Sequence, residues 1–164
     1  MMGDFFEKAM EFRTSGNNEE ARLLLLKACE EKPDCGKILY ETACVHDVLG
    51  LENEAVPYYE AALTCFLNES DRRGALLGLG STYRCLGQYE FAKRTLEHGM
   101  KEFPDAKEFG VFYAMVLFNL NQHHEAMETV LKMLVETTND NDILSFKKAI
   151  LFYSDKLDVT WIKK

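Results

Sequence analysis

The residues of this sequence best suited to chemistry are its four histidines and five cysteines. His123 and His124 are adjacent in a polar stretch, whereas a metal site needs ligands one helical turn apart and further groups that orient them. No GxSxG motif, HExxH motif or phosphate-binding glycine loop accompanies them. The sequence therefore predicts no catalytic residue, no metal ligand and no cofactor. A cysteine- or metal-dependent enzyme is kept only as an alternative.

The cysteines form an odd set without a CxxC pair, which argues against a disulfide framework and a zinc site. They are Cys29, Cys35, Cys44, Cys65 and Cys85. Charged residues interrupt the first dozen positions, so no signal peptide is evident there. No apolar run approaches the roughly 18 residues that span a bilayer. We expect reduced thiols, a cytoplasmic protein and no membrane partner.

Composition fits one globular domain over residues 1–164, with 47 % hydrophobic and 28 % charged side chains. The 27 acidic and 19 basic residues give a net charge of −8. Basic residues occur at most in pairs, such as Arg72 with Arg73, so no basic patch is available for phosphates. Nucleic acid is therefore excluded as an expected partner.

The chain contains an internal repeat. Gly16, Gly50, Gly87 and Asn121 are spaced by 34, 37 and 34 residues, with a short insertion near residues 70–72. An alanine follows each of them five residues later, at Ala21, Ala55, Ala92 and Ala126. Glycine allows the left-handed backbone that ends a helix, and asparagine tolerates it next best. In this register His46 falls in a column of large apolar residues, which predicts a histidine packed in the core.

Residues 76–104 carry the most specific form of the repeat, reading LLGLGSTYRCLGQYEFAKRTLEHGMKEFP. The Leu79–Gly80 pair, Tyr83, Gly87 and Pro104 resemble the tetratricopeptide repeat, a helical hairpin of about 34 residues. The chain as a whole looks like the small free-standing repeat proteins of the bacterial cytosol. The resemblance implies an all-α, right-handed α-solenoid with units at about 2–35, 36–69, 73–106 and 107–140, then a capping helix and tail at 141–164.

Apolar residues continue at helical spacing after the last repeat, at Ile143, Phe146, Ile150, Tyr153 and Leu157. This pattern predicts one more helix, started by a cap among residues 140–142. It should cover the apolar face that the fourth unit would otherwise expose. Trp161 either packs on this helix or is an exposed anchor for a partner.

In the tetratricopeptide family the first helix of each unit lines a concave groove, and the resemblance transfers those positions to this chain. They are Phe6, Met10, Arg13, Tyr40, Cys44, Asp47, Leu77, Ser81, Arg84, Val111, Phe112, Met115 and Phe118. Such a groove is apolar with few charges, which suits an amphipathic helix or an extended peptide. Arg13 and Arg84 could bind a carboxylate. The residues of the fourth unit could instead be core under the capping helix, or a dimer contact.

The sequence therefore predicts a non-catalytic module that binds a peptide or helix of another protein in the concave groove. The alternative is a homo-oligomeric scaffold, such as a homodimer, that associates through the last repeat and the C-terminal helix. The apolar residues of the fourth unit and Trp161 favour that alternative. The identity of the partner is not encoded in the repeat.

Overall fold

The computed structural model describes residues 3–162, and helices are the only regular secondary structure there. The ten helices are α1 (Asp4–Thr14), α2 (Asn18–Glu31), α3 (Gly36–Val48), α4 (Glu52–Thr64), α5 (Glu69–Cys85), α6 (Tyr89–Glu102), α7 (Lys107–Asn119), α8 (His123–Thr137), α9 (Asn141–Ser145) and α10 (Lys147–Tyr153). The first eight form four hairpins, whose first and second members we call A and B helices. Each A helix from α3 to α7 packs on the preceding B helix, which confirms the predicted α-solenoid. No helix within 3–162 is long and apolar enough to cross a membrane.

Each hairpin turns at a residue with a left-handed backbone. The φ angles are 81° at Gly16, 72° at Gly50, 73° at Gly87 and 60° at Asn121. The next amide donates to a carbonyl five residues back, from Gln88 to Tyr83 at 2.8 Å and from Gln122 to Leu117 at 2.9 Å. This hydrogen-bond pattern terminates helices in the Schellman motif. Asn121 thus replaces the turn glycine as predicted.

Small residues allow the A and B helices of a hairpin to approach closely. The repeated alanines are 0 % exposed at Ala21, Ala55 and Ala92 and 7 % exposed at Ala126. A Cβ atom added to Gly80 would lie 2.7 Å from the side chain of Leu96. Buried side chains form one cluster across α1 to α3 and a second from α3 to α8.

The connections between hairpins differ along the chain. After α2 and α6 the chain makes a Pro-Asp turn, closed by Cys35 donating to Lys32 and Ala106 donating to Phe103. After α8, Thr138 stands in place of the proline, and the Asp140 amide donates to its hydroxyl at 3.1 Å. The residues that interrupt the repeat register, 70–72, lie in the first turn of α5. That helix has 17 residues where α3 and α7 have 13.

The chain after α8 differs from the single helix that the sequence predicts. Asp140 caps α9 by accepting the amides of Asp142 and Ile143, but α9 ends after five residues. The Phe146 amide donates to the Ile143 carbonyl at 3.1 Å, so the backbone tightens there and α10 starts afresh. Trp161 is 61 % exposed, and its ring lies 5.8 Å from that of Phe152. It therefore both packs on α10 and remains accessible.

Candidate protein-binding groove

Ion pairs join the A helices of the first three units. Arg13 on α1 pairs with Glu41 on α3. The Lys37 ammonium lies 2.8 Å from Glu41 Oε1 and 2.8 Å from Asp71 Oδ1, which links α3 to α5. Arg13, predicted to bind a ligand carboxylate, is thus already paired with a carboxylate of its own chain.

Asp47 forms the next link between α3 and α5. Its carboxylate accepts hydrogen bonds from Tyr59 Oη and from Thr82 Oγ1, both at 2.8 Å. Burial raises the pKa of Asp47, and the two hydrogen bonds oppose that rise. Cys44 lies beside the same tyrosine, and burial raises the pKa of its thiol. Both residues were predicted to line the groove, and both make contacts inside the solenoid.

Tyr40, Leu77 and Ser81 are half-buried along the same side of α3 and α5. Tyr40 and Leu77 line a notch of about 570 Å³ that α3 and α5 form together with Glu108 of α7. A Cβ atom on Gly74 would lie 2.2 Å from the Tyr40 hydroxyl, so the missing side chain makes room for the tyrosine. These predicted groove residues therefore retain only part of their surface for a ligand.

Three further predicted groove residues pack into the cores. Phe6 is 7 % exposed in the cluster of the first unit, and Met10 is half-buried against that cluster. Phe112 is half-buried against the larger cluster. Phe6 is thus interior rather than groove-lining, a correction to the sequence analysis, because its side chain packs in the first hairpin.

The fourth unit contains an open apolar groove of about 390 Å³ between α7 and α8. The α7–α8 groove is lined by Arg84, Val111, Ala114, Met115, Phe118, His123, Ala126, Met127 and Val130. Val111 is 41 % exposed, Met115 40 % and Phe118 63 %. Arg84 is its one cationic residue, and Nε of this arginine donates to Asn119 Oδ1 at 2.9 Å. The groove is thus an apolar channel with a cation at one edge.

The groove is open because, within residues 3–162, no A helix packs on α8 in the position that α5 and α7 take in earlier units. Those two helices each contact the preceding B helix and the preceding A helix. Equivalent positions of the repeat show the effect. The residues that correspond to Val130 in the first three units are Leu25 (0 % exposed), Tyr59 (3 %) and Leu96 (0 %). Val130 itself is 45 % exposed. The fourth unit thus presents an interior position of the repeat as surface.

The chain after α8, residues 141–162, lies on another side of that helix; we call it the C-terminal segment. Val135 is 1 % exposed under it, although the same column holds exposed Glu30, Thr64 and Lys101 in the other units. The neighbouring Leu134 remains 40 % exposed. The segment covers the outer side of α8, so the capping expected from the sequence is displaced from the groove.

The histidines that were considered for chemistry are either packed in the core or exposed on the surface. His46 is 3 % exposed, its Nδ1 donates to the Thr42 carbonyl at 2.7 Å, and its ring stacks on Tyr58, which confirms a packed core histidine. His123 and His124 are exposed. Among the residues that the structure describes, no group of three or more His, Cys, Asp or Glu could hold a metal ion.

Comparison with known proteins identifies the family. The family model of the tetratrico peptide repeat matches residues 36–157. The chain therefore belongs to the tetratricopeptide repeat family. A search of curated protein sequences gives no match.

Solved structures share the fold. MamA 41-end from Desulfovibrio magneticus RS-1 has 17 % identity and a TM-score of 0.75, with 96 % of this chain and 90 % of that chain covered. YrrB, described as a TPR protein with an unusual peptide-binding site, has 19 % identity and a TM-score of 0.71, covering 95 % and 79 %. A tetratricopeptide repeat protein from Parabacteroides merdae ATCC 43184 has 20 % identity and a TM-score of 0.71, covering 92 % and 59 %. At these identities the likeness concerns the fold.

The sequence analysis identified the α7 side of the groove and missed its α8 side. Val111, Met115 and Phe118 follow from the A-helix positions of the family, which include no B-helix residue. Val130 could have been found from its column, because that column is apolar in the fourth unit as it is in the first three. Residue type alone did not separate core from groove, since the same kinds of side chain fill both.

Proposed function

We propose that this chain binds an amphipathic helix of another polypeptide in the α7–α8 groove. Its family and fold support a protein-interaction module in general. The observation that carries the finer proposal is the exposure of Val111, Met115 and Phe118, at columns where earlier A helices contact the next one. The bound helix would take the position of a fifth A helix.

The shape and chemistry of the groove favour a helix over an extended peptide. The groove repeats the place between α5 and α6 that α7 fills, and an A helix is the element that this geometry accepts. Its walls are apolar, so affinity would come from apolar burial at helical spacing. Completing the burial of three half-exposed large side chains contributes several kcal/mol, at about 1.5–3 kcal/mol for each full burial. Association costs offset much of that, so micromolar affinity is expected.

The contacts elsewhere on the A helices support placing the site in the fourth unit. Arg13 and Asp47 are engaged within the chain, and Phe6 is buried. Arg84 stands at the groove edge, where it can also meet a carboxylate on the bound helix. The peptide-binding site named for YrrB supports peptide binding by a protein of this fold.

The test uses a fluorescein-labelled peptide of residues 69–85, the sequence of α5. Ala75, Leu76, Leu79 and Tyr83 of that helix are buried, and Tyr83 Oη donates to Glu60 of the preceding hairpin, so the peptide presents an A-helix face. We expect a saturable rise in fluorescence anisotropy at micromolar to submillimolar concentrations of the chain. Met115→Glu should weaken binding at least about tenfold, because it places a charge in the apolar groove.

Val48→Glu is the matched control, since Val48 is 62 % exposed on α3 and lies away from the groove. Circular dichroism and thermal unfolding should show that both variants fold like the parent chain. Equal peptide binding by the two variants, or no binding by the parent chain, would contradict the proposal.

A further inference from the structure

The C-terminal segment has the register of a fifth A helix. Helix α9 begins 34 residues after the start of α7, and α10 ends 34 residues after the end of α7. Ile143 and Ile150 fall in the columns of Phe109 and Val116, which are both 0 % exposed in α7. Ile143 and Ile150 are half-buried and α10 contacts α8 of its own chain, so this face is already in use and only the opposite face of the segment is left for a second copy.

The segment also carries apolar residues on its outward face. Phe146 and Phe152 fall in the columns of Phe112 and Phe118, and they are 65 % and 51 % exposed. Leu157, Val159 and Trp161 continue this surface, at 48 %, 48 % and 61 % exposure. An amphipathic element thus stands next to an apolar groove that it does not fill.

Exposed apolar side chains are concentrated at this end of the solenoid. Among residues 3–162, 19 large hydrophobic side chains are exposed, and 15 of them lie at Val111 or beyond. The other four, Leu23, Val48, Phe66 and Phe91, are scattered over the first three units. Contiguous exposed apolar surface of this kind marks an interface.

The opposite end lacks such a surface. Asp4, Glu7, Lys8 and Glu11 are exposed on α1, and none of the exposed large hydrophobic residues lies on that helix. Lys8 stands in the column that Leu79 fills in the third unit, and it pairs with Asp4 at 2.8 Å. Head-to-tail stacking of copies would therefore set charges against the groove. Two apolar surfaces on the same end fit a closed two-fold pair instead.

Charge favours contact between the segment of one copy and the body of another. Residues 141–164 contain five lysines and three aspartates, a net charge of +2. The whole chain carries −8, so residues 1–140 carry −10. Two copies at −8 each repel overall, so the opposite charge of the segment favours encounters in which the segment of one copy meets the body of the other.

We infer that the α7–α8 groove of one copy receives the outward face of α9 and α10 from a second copy, and that the exchange is reciprocal about a two-fold axis. The inference rests on the proposed function, because it names the occupant of the same groove. Each copy would supply both a groove and a helix.

The experiment is light scattering on the full chain across the micromolar range, with mixtures of two variants. We expect twice the 18.8 kDa chain mass as concentration rises. Met115→Glu disables the groove, and Phe146→Glu disables the segment at a residue that is 65 % exposed. Each variant alone should be monomeric, and their equimolar mixture should recover pairs through the one intact groove and the one intact segment. Val48→Glu should pair like the parent chain.

The outcomes separate this inference from the proposed function. A parent chain that stays monomeric overturns the inference, and binding of the α5 peptide then still supports the proposed function. If the Phe146→Glu variant still pairs, or if the mixture of the two variants stays monomeric, the copies use a different contact or none, and the inference is also overturned. Phe146→Glu should still bind the α5 peptide, because its groove is unchanged.

Discussion

The second and third units differ from the fourth in what their A helices offer at equivalent positions. Asp47 and Arg84 occupy one column, and each makes a hydrogen bond to the next A helix, at Thr82 and Asn119. Phe118 occupies that column in the fourth unit and is 63 % exposed. Polar residues thus stand where the chain supplies a hydrogen-bond partner, and an apolar residue stands where it does not.

This difference shows how one repeat supplies both a scaffold and a binding surface. Hydrogen bonds between successive A helices fix their spacing, because an unpaired buried polar group costs about 1–3 kcal/mol. Within residues 3–162 no A helix packs on α7 as α7 packs on α5, and the equivalent face of α7 is apolar. Covering this apolar face of α7 is favourable for any helix of suitable shape, whereas the equivalent faces of α3 and α5 already make contacts within the chain.

The largest expected change in the free energy of unfolding comes from comparing a buried position of the repeat with the equivalent exposed position in the fourth unit. Leu96→Ala should lower the free energy of unfolding by about 3 kcal/mol, since Leu96 is 0 % exposed and truncation leaves a cavity. Val130→Ala, in the same column, should cost less than about 1 kcal/mol because water already reaches its side chain. Urea denaturation at submicromolar concentration measures both.

Val116→Ala is the control for side-chain size, because Val116 is also 0 % exposed. We expect it to cost about 2 kcal/mol. If Val130→Ala costs as much as Val116→Ala in a monomeric sample, the groove is closed and the contrast fails.

Much of the fold could be predicted from particular residues. The turn column, with its glycines and Asn121, specified each hairpin because few residues accept a left-handed backbone. The path after α8 could not be predicted in the same way. Ile143 and Ile150 have the spacing of an A helix, whereas in the structure α10 packs on α8, where Val135 is 1 % exposed. Periodicity within a segment identifies a helix and leaves open which neighbouring surface it covers.

The candidate site was predictable in part for a similar reason. Val111, Met115 and Phe118 belong to a column pattern, so their helix and face followed from the sequence. Whether Tyr40 or Val111 stayed accessible depended on the presence of a following A helix. The contacts between successive A helices join residues 28 to 35 positions apart, which local patterns do not report.

A smaller change in stability tests the hydrogen bonds that Asp47 makes at the position equivalent to Phe118. Asp47→Ala removes one acceptor of both the Tyr59 and Thr82 hydroxyls, whose residues are 3 % and 2 % exposed. Tyr59 keeps only the weaker Cys44 sulfur, and Thr82 keeps the Gly78 carbonyl. We expect the free energy of unfolding to fall by about 2 kcal/mol. Phe118→Ala at the same column should change it by less than about 1 kcal/mol in the monomer, yet weaken peptide binding. Denaturation and anisotropy on the same samples check both expectations.

The opposite result for Asp47→Ala would mean that the second unit also binds the ligand. If Asp47→Ala weakens peptide binding and leaves stability unchanged, the ligand contacts the second unit. The binding site would then extend along the earlier A helices, as the sequence analysis predicted.

The smallest effect concerns the turn that joins the two sides of the groove. Asn121→Gly should raise the free energy of unfolding by about 0.5 kcal/mol, because glycine adopts the left-handed backbone with less strain. Gly87→Asn should lower it by a similar amount, and a Cβ atom there meets nothing within 4 Å, so only the backbone is tested. Thermal unfolding should shift by roughly 1–2 °C in opposite directions.

Neither change should alter binding, since both turns make the same hydrogen bonds and the groove arises from the displaced helix after α8. A loss of binding in Asn121→Gly would mean that the turn, and not the displaced helix, holds the groove open.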